Sequence, residues 1–112
     1  MRLPNNTNAS IDIRKLADYC LDPTHPVGRH KCLVFRNKLG LTANDVYYLR
    51  ELIHHAALNN DAMLDRLDEF GQRYTVDFSV INDVGSAVVR SAWIIRTSED
   101  FPRLTTCFVL NS

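Results

Sequence analysis

A chain of 112 residues, 46% hydrophobic and 23% charged, is sized for one globular domain around a single core, expected over residues 1–112. Thirteen Lys/Arg balance thirteen Asp/Glu, which argues against a general nucleic-acid coating protein. No apolar run reaches bilayer length and MRLPNNTNAS lacks an apolar signal core, so no membrane partner, no export signal and a cytoplasmic setting are expected.

Ser10 is placed to cap a first helix, whose apolar positions Ile13, Leu16, Ala17, Cys20 and Leu21 follow helical spacing. Asp22-Pro23 ends it, and Thr24 to Gly28 form a loop. A second helix is expected from Gly28 or Arg29 to Leu39, with Gly40 just past its end and Leu33, Val34 and Phe35 facing the core. Thr42 to Asp45 resembles a capping box and opens a third helix to about Leu58, with Val46, Leu49, Ile53, Ala56 and Ala57 as its buried stripe.

After Asn59-Asn60 the period changes. Ala62 to Leu67 reads as a strand or a helical turn, the strand being preferred. Tyr74, Val76, Phe78 and Val80 alternate with polar residues, and Asn82 to Gly85 make a turn. A long strand from Ser86 to Thr97 puts Val89, Ser91, Trp93 and Ile95 on one face, and Val88, Arg90, Ala92, Ile94 and Arg96 on the other. Arg103 to Leu110 is the last strand. The fold class is therefore α+β, about three N-terminal helices followed by an antiparallel sheet of three to four strands.

Charge is distributed unevenly. Residues 1–40 hold seven Lys/Arg against three Asp/Glu, whereas residues 41–72 hold two against six. Ten of the thirteen basic residues are arginines, the better group for bidentate phosphate contacts. The segment from His25 to Lys31, HPVGRHK, concentrates acid–base groups and cations at a helix entrance. Cations there oppose the helix dipole by roughly 0.3–1 kcal/mol each, a cost that a bound anion would offset. Gly28 and Arg29 are accordingly phosphate-binding candidates, with His30 and Lys31 as catalytic ones and His25 as second choice.

RNA cleavage through the 2′-hydroxyl needs a base, an acid and cations for the charge that builds on phosphorus, with no metal. The sheet supplies candidates in Arg90 and Thr105 (catalytic) and Thr106 (phosphate-binding). For Arg90 an ion pair with Asp77 or Glu99 is the structural alternative. Cys20, Cys32 and Cys107 adjoin apolar runs and are expected to be reduced core residues. With His25 and His30 they match no paired zinc spacing, so no metal is expected. His54 and His55 are adjacent on a helix and face different directions. Phosphate-loop, nucleophile-elbow and dinucleotide motifs are lacking, and no cofactor is expected.

Leu3-Pro4-Asn5, the His25–Lys31 run, Gly71-x-Arg-Tyr74, Val89 to Trp93 and Pro102 to Thr106 together resemble an uncharacterised bacterial family, a domain-of-unknown-function group with a GRHK motif. More distantly, the helices-then-sheet order is similar to small metal-independent ribonuclease toxins of the barnase, EndoU, colicin and RelE type. That similarity implies RNA as substrate and a cognate antitoxin or immunity protein as partner; the balanced charge departs from it. Two functions follow, a toxin-like RNA-cleaving domain or a non-catalytic interaction module (antitoxin-like or phage-related) whose GRHK turn meets an acidic surface. An enzyme requires His30, Lys31 and Arg90 to converge in one pocket.

Overall fold

The computed structural model describes residues 1–110; the last two residues of the expected 1–112 domain lie outside them. Three helical segments, α1 (Ile13–Lys15), α2 (Arg29–Leu39) and α3 (Val46–Asn59), precede β1 (Ala62–Asp68), β2 (Gly71–Ile81), β3 (Ser86–Arg96) and β4 (Arg103–Val109). The strands pair in the order β1-β2-β3-β4, antiparallel throughout. The α+β reading holds, and Ala62 to Leu67 does form a strand.

Helix α2 has the expected bounds. Gly40 adopts φ 67° past its end and donates to the Arg36 carbonyl, a left-handed C-terminal cap that a side chain would strain. The capping box is present as well, with Thr42 and Asp45 exchanging side-chain-to-backbone bonds.

The first helix departs from its pattern in two ways. Asp12, not Ser10, caps it, its Oδ1 accepting from the Arg14 N–H at 3.0 Å. Ser10 instead pairs its backbone with β4, donating to the Pro102 carbonyl and accepting from the Leu104 N–H. A side-chain cap and a strand edge compete for the same residue, and the edge satisfies two backbone groups rather than one. The helix then widens into a π turn over Leu16–Cys20, closed by Leu21 N–H to the Leu16 carbonyl at 2.8 Å. Leu33 on α2 is 40% exposed, contrary to the expected core role; Cys32, Phe35 and Leu39 take the buried positions.

The core lies between the helices and one sheet face. Tyr74, Val76 and Phe78 of β2 oppose Trp93, Ser91 and Val89 of β3 in register, and all six are buried. Helix residues Leu16, Phe35, Leu49 and Ile53 complete it. Trp93 and Phe78 therefore sit on the helix-covered face, as the alternation requires. Ser91 is the buried polar residue here: its Oγ donates to the Val76 carbonyl at 2.7 Å and accepts from the Trp93 indole N–H at 2.9 Å.

Two expected outcomes follow. Ser91→Ala strands a buried indole donor, so denaturant unfolding should show a loss of about 2 kcal/mol. In a Trp93→Phe background that loss should shrink, because the orphaned donor is gone. At the β1–β2 turn, Asp68 accepts from Arg73 and Arg66 and from the Phe70 and Gly71 N–H groups. The Arg73 bond above all lowers its carboxyl from 3.8 to about 2. The folded pKa lies below the unfolded one, so this stabilisation is complete above pH ~4 and lost as pH falls through about 2. Asp68→Asn should make the fall in stability between pH 4 and 2 shallower in acid titrations followed by circular dichroism.

Candidate functional site

The turn before α2 is built by two side chains acting as acceptors. Asp22 Oδ1 takes the Thr24 N–H and hydroxyl at 2.8 and 2.7 Å. His25 Nδ1 takes the N–H groups of Val27 and Gly28 at 3.0 and 2.9 Å. An imidazole nitrogen that accepts carries no proton, so the His25 proton sits on Nε2. Its ring meets Tyr19 edge-on, 4.7 Å between centroids.

Gly28 is buried because the π turn crosses over it: a Cβ there would run into the Tyr19 carbonyl oxygen. Beyond it, Arg29 and His30 are exposed. Lys31 turns the other way, its Nζ 5.2 Å from the Tyr19 ring centroid and 5.0 Å from that of Phe108 on β4. Phe108 stands opposite Arg90 in the β3–β4 register, and directly opposed residues share a sheet face. Arg90 Nε and Nη2 each lie 2.8 Å from a carboxylate oxygen of Asp77, the ion pair foreseen as its structural alternative.

His25, Tyr19, Lys31, Phe108 and Arg90 thus form a half-buried row of alternating polar and aromatic groups at the β4 edge. Thr106, two residues from Phe108, places Oγ1 3.7 Å from the Cys20 thiol. Thr105 is the extra residue of a bulge, donating to the Ala92 carbonyl at 3.1 Å. It lines a separate cleft of about 100 Å³ with Lys15, Arg96 and Arg103. So Lys31 and Arg90 each adjoin Phe108 and Thr106 lies two residues from it on β4, whereas His30 is exposed on α2 and Thr105 lines a separate cleft.

The aromatic members went unnoticed in the sequence. Tyr19 and Phe108 each neighbour a buried cysteine, and strand alternation at Cys107 was enough to put Phe108 on the opposite face.

Behind the row, Cys20 and Cys107 are fully buried, and Cys20 Sγ lies 3.7 Å from Thr106 Oγ1. The neighbouring Cys107, with help from Thr106 and Lys31, lowers the Cys20 thiol below its ordinary value. Cys20 and burial push Cys107 well above it. Burial raises Cys32. All three are free core thiols, as their apolar surroundings suggested.

Three further clefts of about 190, 470 and 260 Å³ indent the described surface. None of these three clefts, nor the Thr105 cleft, is lined by His25, Tyr19, Lys31, Phe108 or Arg90. No helix among the described residues is long and apolar enough to cross a membrane.

Helices packed on one face of a β1-β2-β3-β4 meander, with a cation–aromatic row at its edge, define a small α+β domain. By family model the chain belongs to the family described as Domain of unknown function (DUF6883), which matches residues 2–111. No curated protein and no solved structure matches it.

Gly28→Ala tests how the row is assembled. The added methyl must displace the π turn or the start of α2, and a loss of about 1–3 kcal/mol is expected in thermal or denaturant unfolding.

Proposed function

We propose that the domain binds single-stranded RNA along the row from His25 to Arg90 and cleaves it without a metal. The observation that carries this reading is the Lys31 ammonium held between the rings of Tyr19 and Phe108, with Arg90 beyond. Open surfaces that alternate cations with aromatic rings suit a flexible polyanion, whose phosphates meet the charges while its bases stack. A folded small ligand would instead call for an enclosed cavity.

In this reading Lys31 and Arg90 hold the scissile phosphate, with the Arg29 side chain and Thr106 giving further contacts; Gly28, buried and with its N–H donated to His25, shapes the turn instead. His30, exposed and free of side-chain hydrogen bonds among the described residues, is the acid–base group. It takes the 2′-hydroxyl proton as that oxygen attacks phosphorus, and the leaving 5′-oxygen departs with a proton from water or a second group. His25, its Nδ1 occupied by the turn, contributes a hydrogen bond from Nε2 rather than proton transfer. The helices-then-sheet order supports a toxin-like role with an antitoxin or immunity partner, by analogy of architecture alone.

A second reading, the non-catalytic interaction module, is favoured by two observations. His30, Lys31 and Arg90 line none of the four clefts described, whereas convergence in one pocket was the mark of the enzyme. Asp77 also neutralises Arg90, which weakens attraction for a polyanion and suits a protein surface that brings its own acidic groups.

Total RNA incubated with the wild-type domain and a chelator distinguishes the two. Cleavage is expected, and His30→Ala should reduce it about 100-fold or more with an unchanged unfolding midpoint. Lys31→Ala should cost a similar factor by removing charge stabilisation of the transition state. Arg90→Ala is best paired with Asp77→Asn, since truncating Arg90 alone leaves a carboxylate unpartnered. RNA left intact by the wild type would transfer the surface to the interaction module.

A further inference from the structure

The cleft around Thr105 has no part in the row, yet its charge is equally unusual. Lys15, Arg96 and Arg103 line it, with Ser10 at its edge and Ile94 buried within it. Two carboxylates face these cations. Asp12 also lines the cleft, but Arg14 grips it through two side-chain bonds of 3.1 and 2.8 Å. Glu99 is shared, 2.7 Å from Arg103 Nη2 and 3.9 Å from Arg96. Lys15 has no ion-pair partner among the described residues. Four cations therefore meet two carboxylates, in a hollow of about 100 Å³, the size of one phosphate group.

The cleft and the row share a surface. Arg90, Ile94 and Arg96 lie on the same face of β3, whose pairing with β2 is unbroken over that span. Six residues at ~3.3 Å each separate Arg90 from Arg96 by about 20 Å. At the ~3.4 Å rise of a stacked strand, that is roughly six nucleotides.

We propose that the Lys15–Arg96–Arg103 cleft is a second phosphate subsite, holding one phosphate of a strand whose other end lies on Lys31 and Arg90. This rests on the reading of the row as a single-stranded RNA surface. The cleft positions the strand and does no chemistry. Lys15 and Arg96 are the principal donors for the ligand, because Arg103 keeps Nε and Nη2 on Glu99, is stacked on Phe101 at 4.7 Å from its ring centroid, and offers only Nη1.

Fluorescence anisotropy with uncleavable 2′-deoxy oligonucleotides tests the subsite. The variants are Lys15→Ala with Arg96→Ala, and Lys31→Ala; Lys15 and Arg96 are exposed, so their removal leaves the fold intact. The double variant should bind an octanucleotide about 10-fold more weakly and bind a dinucleotide as the wild type does. Its log–log salt slope for the octanucleotide should be shallower by about 1.4, two contacts at ~0.7 each. Lys31→Ala should weaken both ligands. If the double variant keeps wild-type octanucleotide affinity and slope while Lys31→Ala loses affinity, the subsite is refuted and the row stands. If the wild type binds neither oligonucleotide, both ideas fall together.

Discussion

With only hydrogen at the Gly28 α-carbon, the Tyr19 carbonyl can rest directly on the entrance to α2, and the candidate surface is assembled around that contact. The π turn, one residue wider than an α turn, delivers Tyr19 outward and Cys20 inward from consecutive positions. Tyr19 then touches His25 on the loop and Lys31 on the helix, while Cys20 meets Thr106 on β4. A single close approach thus ties loop, helix and sheet edge into one surface. Any bulk at Gly28 would loosen all three at once.

Electrostatics on the open sheet face follow a different logic, in which three arginines are each held by a carboxylate. Asp68 holds Arg73, Asp77 holds Arg90 and Glu99 holds Arg103. Exposed or half-exposed pairs of this kind add little to stability, with a median of about 0–1 kcal/mol. Their larger effect is to fix the direction of each guanidinium and to keep the net charge at zero. Arg29, His30 and Lys31 at the head of α2 have no such partners among the described residues. Solvent screens their repulsion with the helix dipole, which is why the fold tolerates them.

Most of the fold was legible because its signals are local. Gly40, the Thr42–Asp45 box and the alternation of residues 74–80 and 86–96 each report on neighbours a few positions away. Ser10 was misread because its competing partner, Arg103, is distant in sequence and only tertiary pairing decides between cap and strand edge. Leu33 was misread because three consecutive apolar residues cannot all face inward on a helix, and Phe35 with Leu39 claimed the core. At the site, the basic turn and Arg90 were visible as charges. The rings that hold Lys31 were not, since an aromatic residue in an apolar run reads as core until the register shows which face it takes.

Asp77 would bar Arg90 from a phosphate only if it occupied the whole guanidinium. It uses Nε and one terminal nitrogen, Nη2, and leaves Nη1 without a protein acceptor among the described residues. Guanidinium carries five N–H donors in a rigid plane, so one edge can remain on the carboxylate while the other meets an incoming oxygen. Arg103 is held the same way by Glu99, again through Nε and Nη2. These carboxylates therefore act as orienting groups, aiming the free edges of two arginines without consuming them. The cost is attraction at long range, because a neutral surface steers polyanions weakly. A strand docking here would owe its affinity to short-range contacts with Lys31, its two rings and the aimed guanidinium.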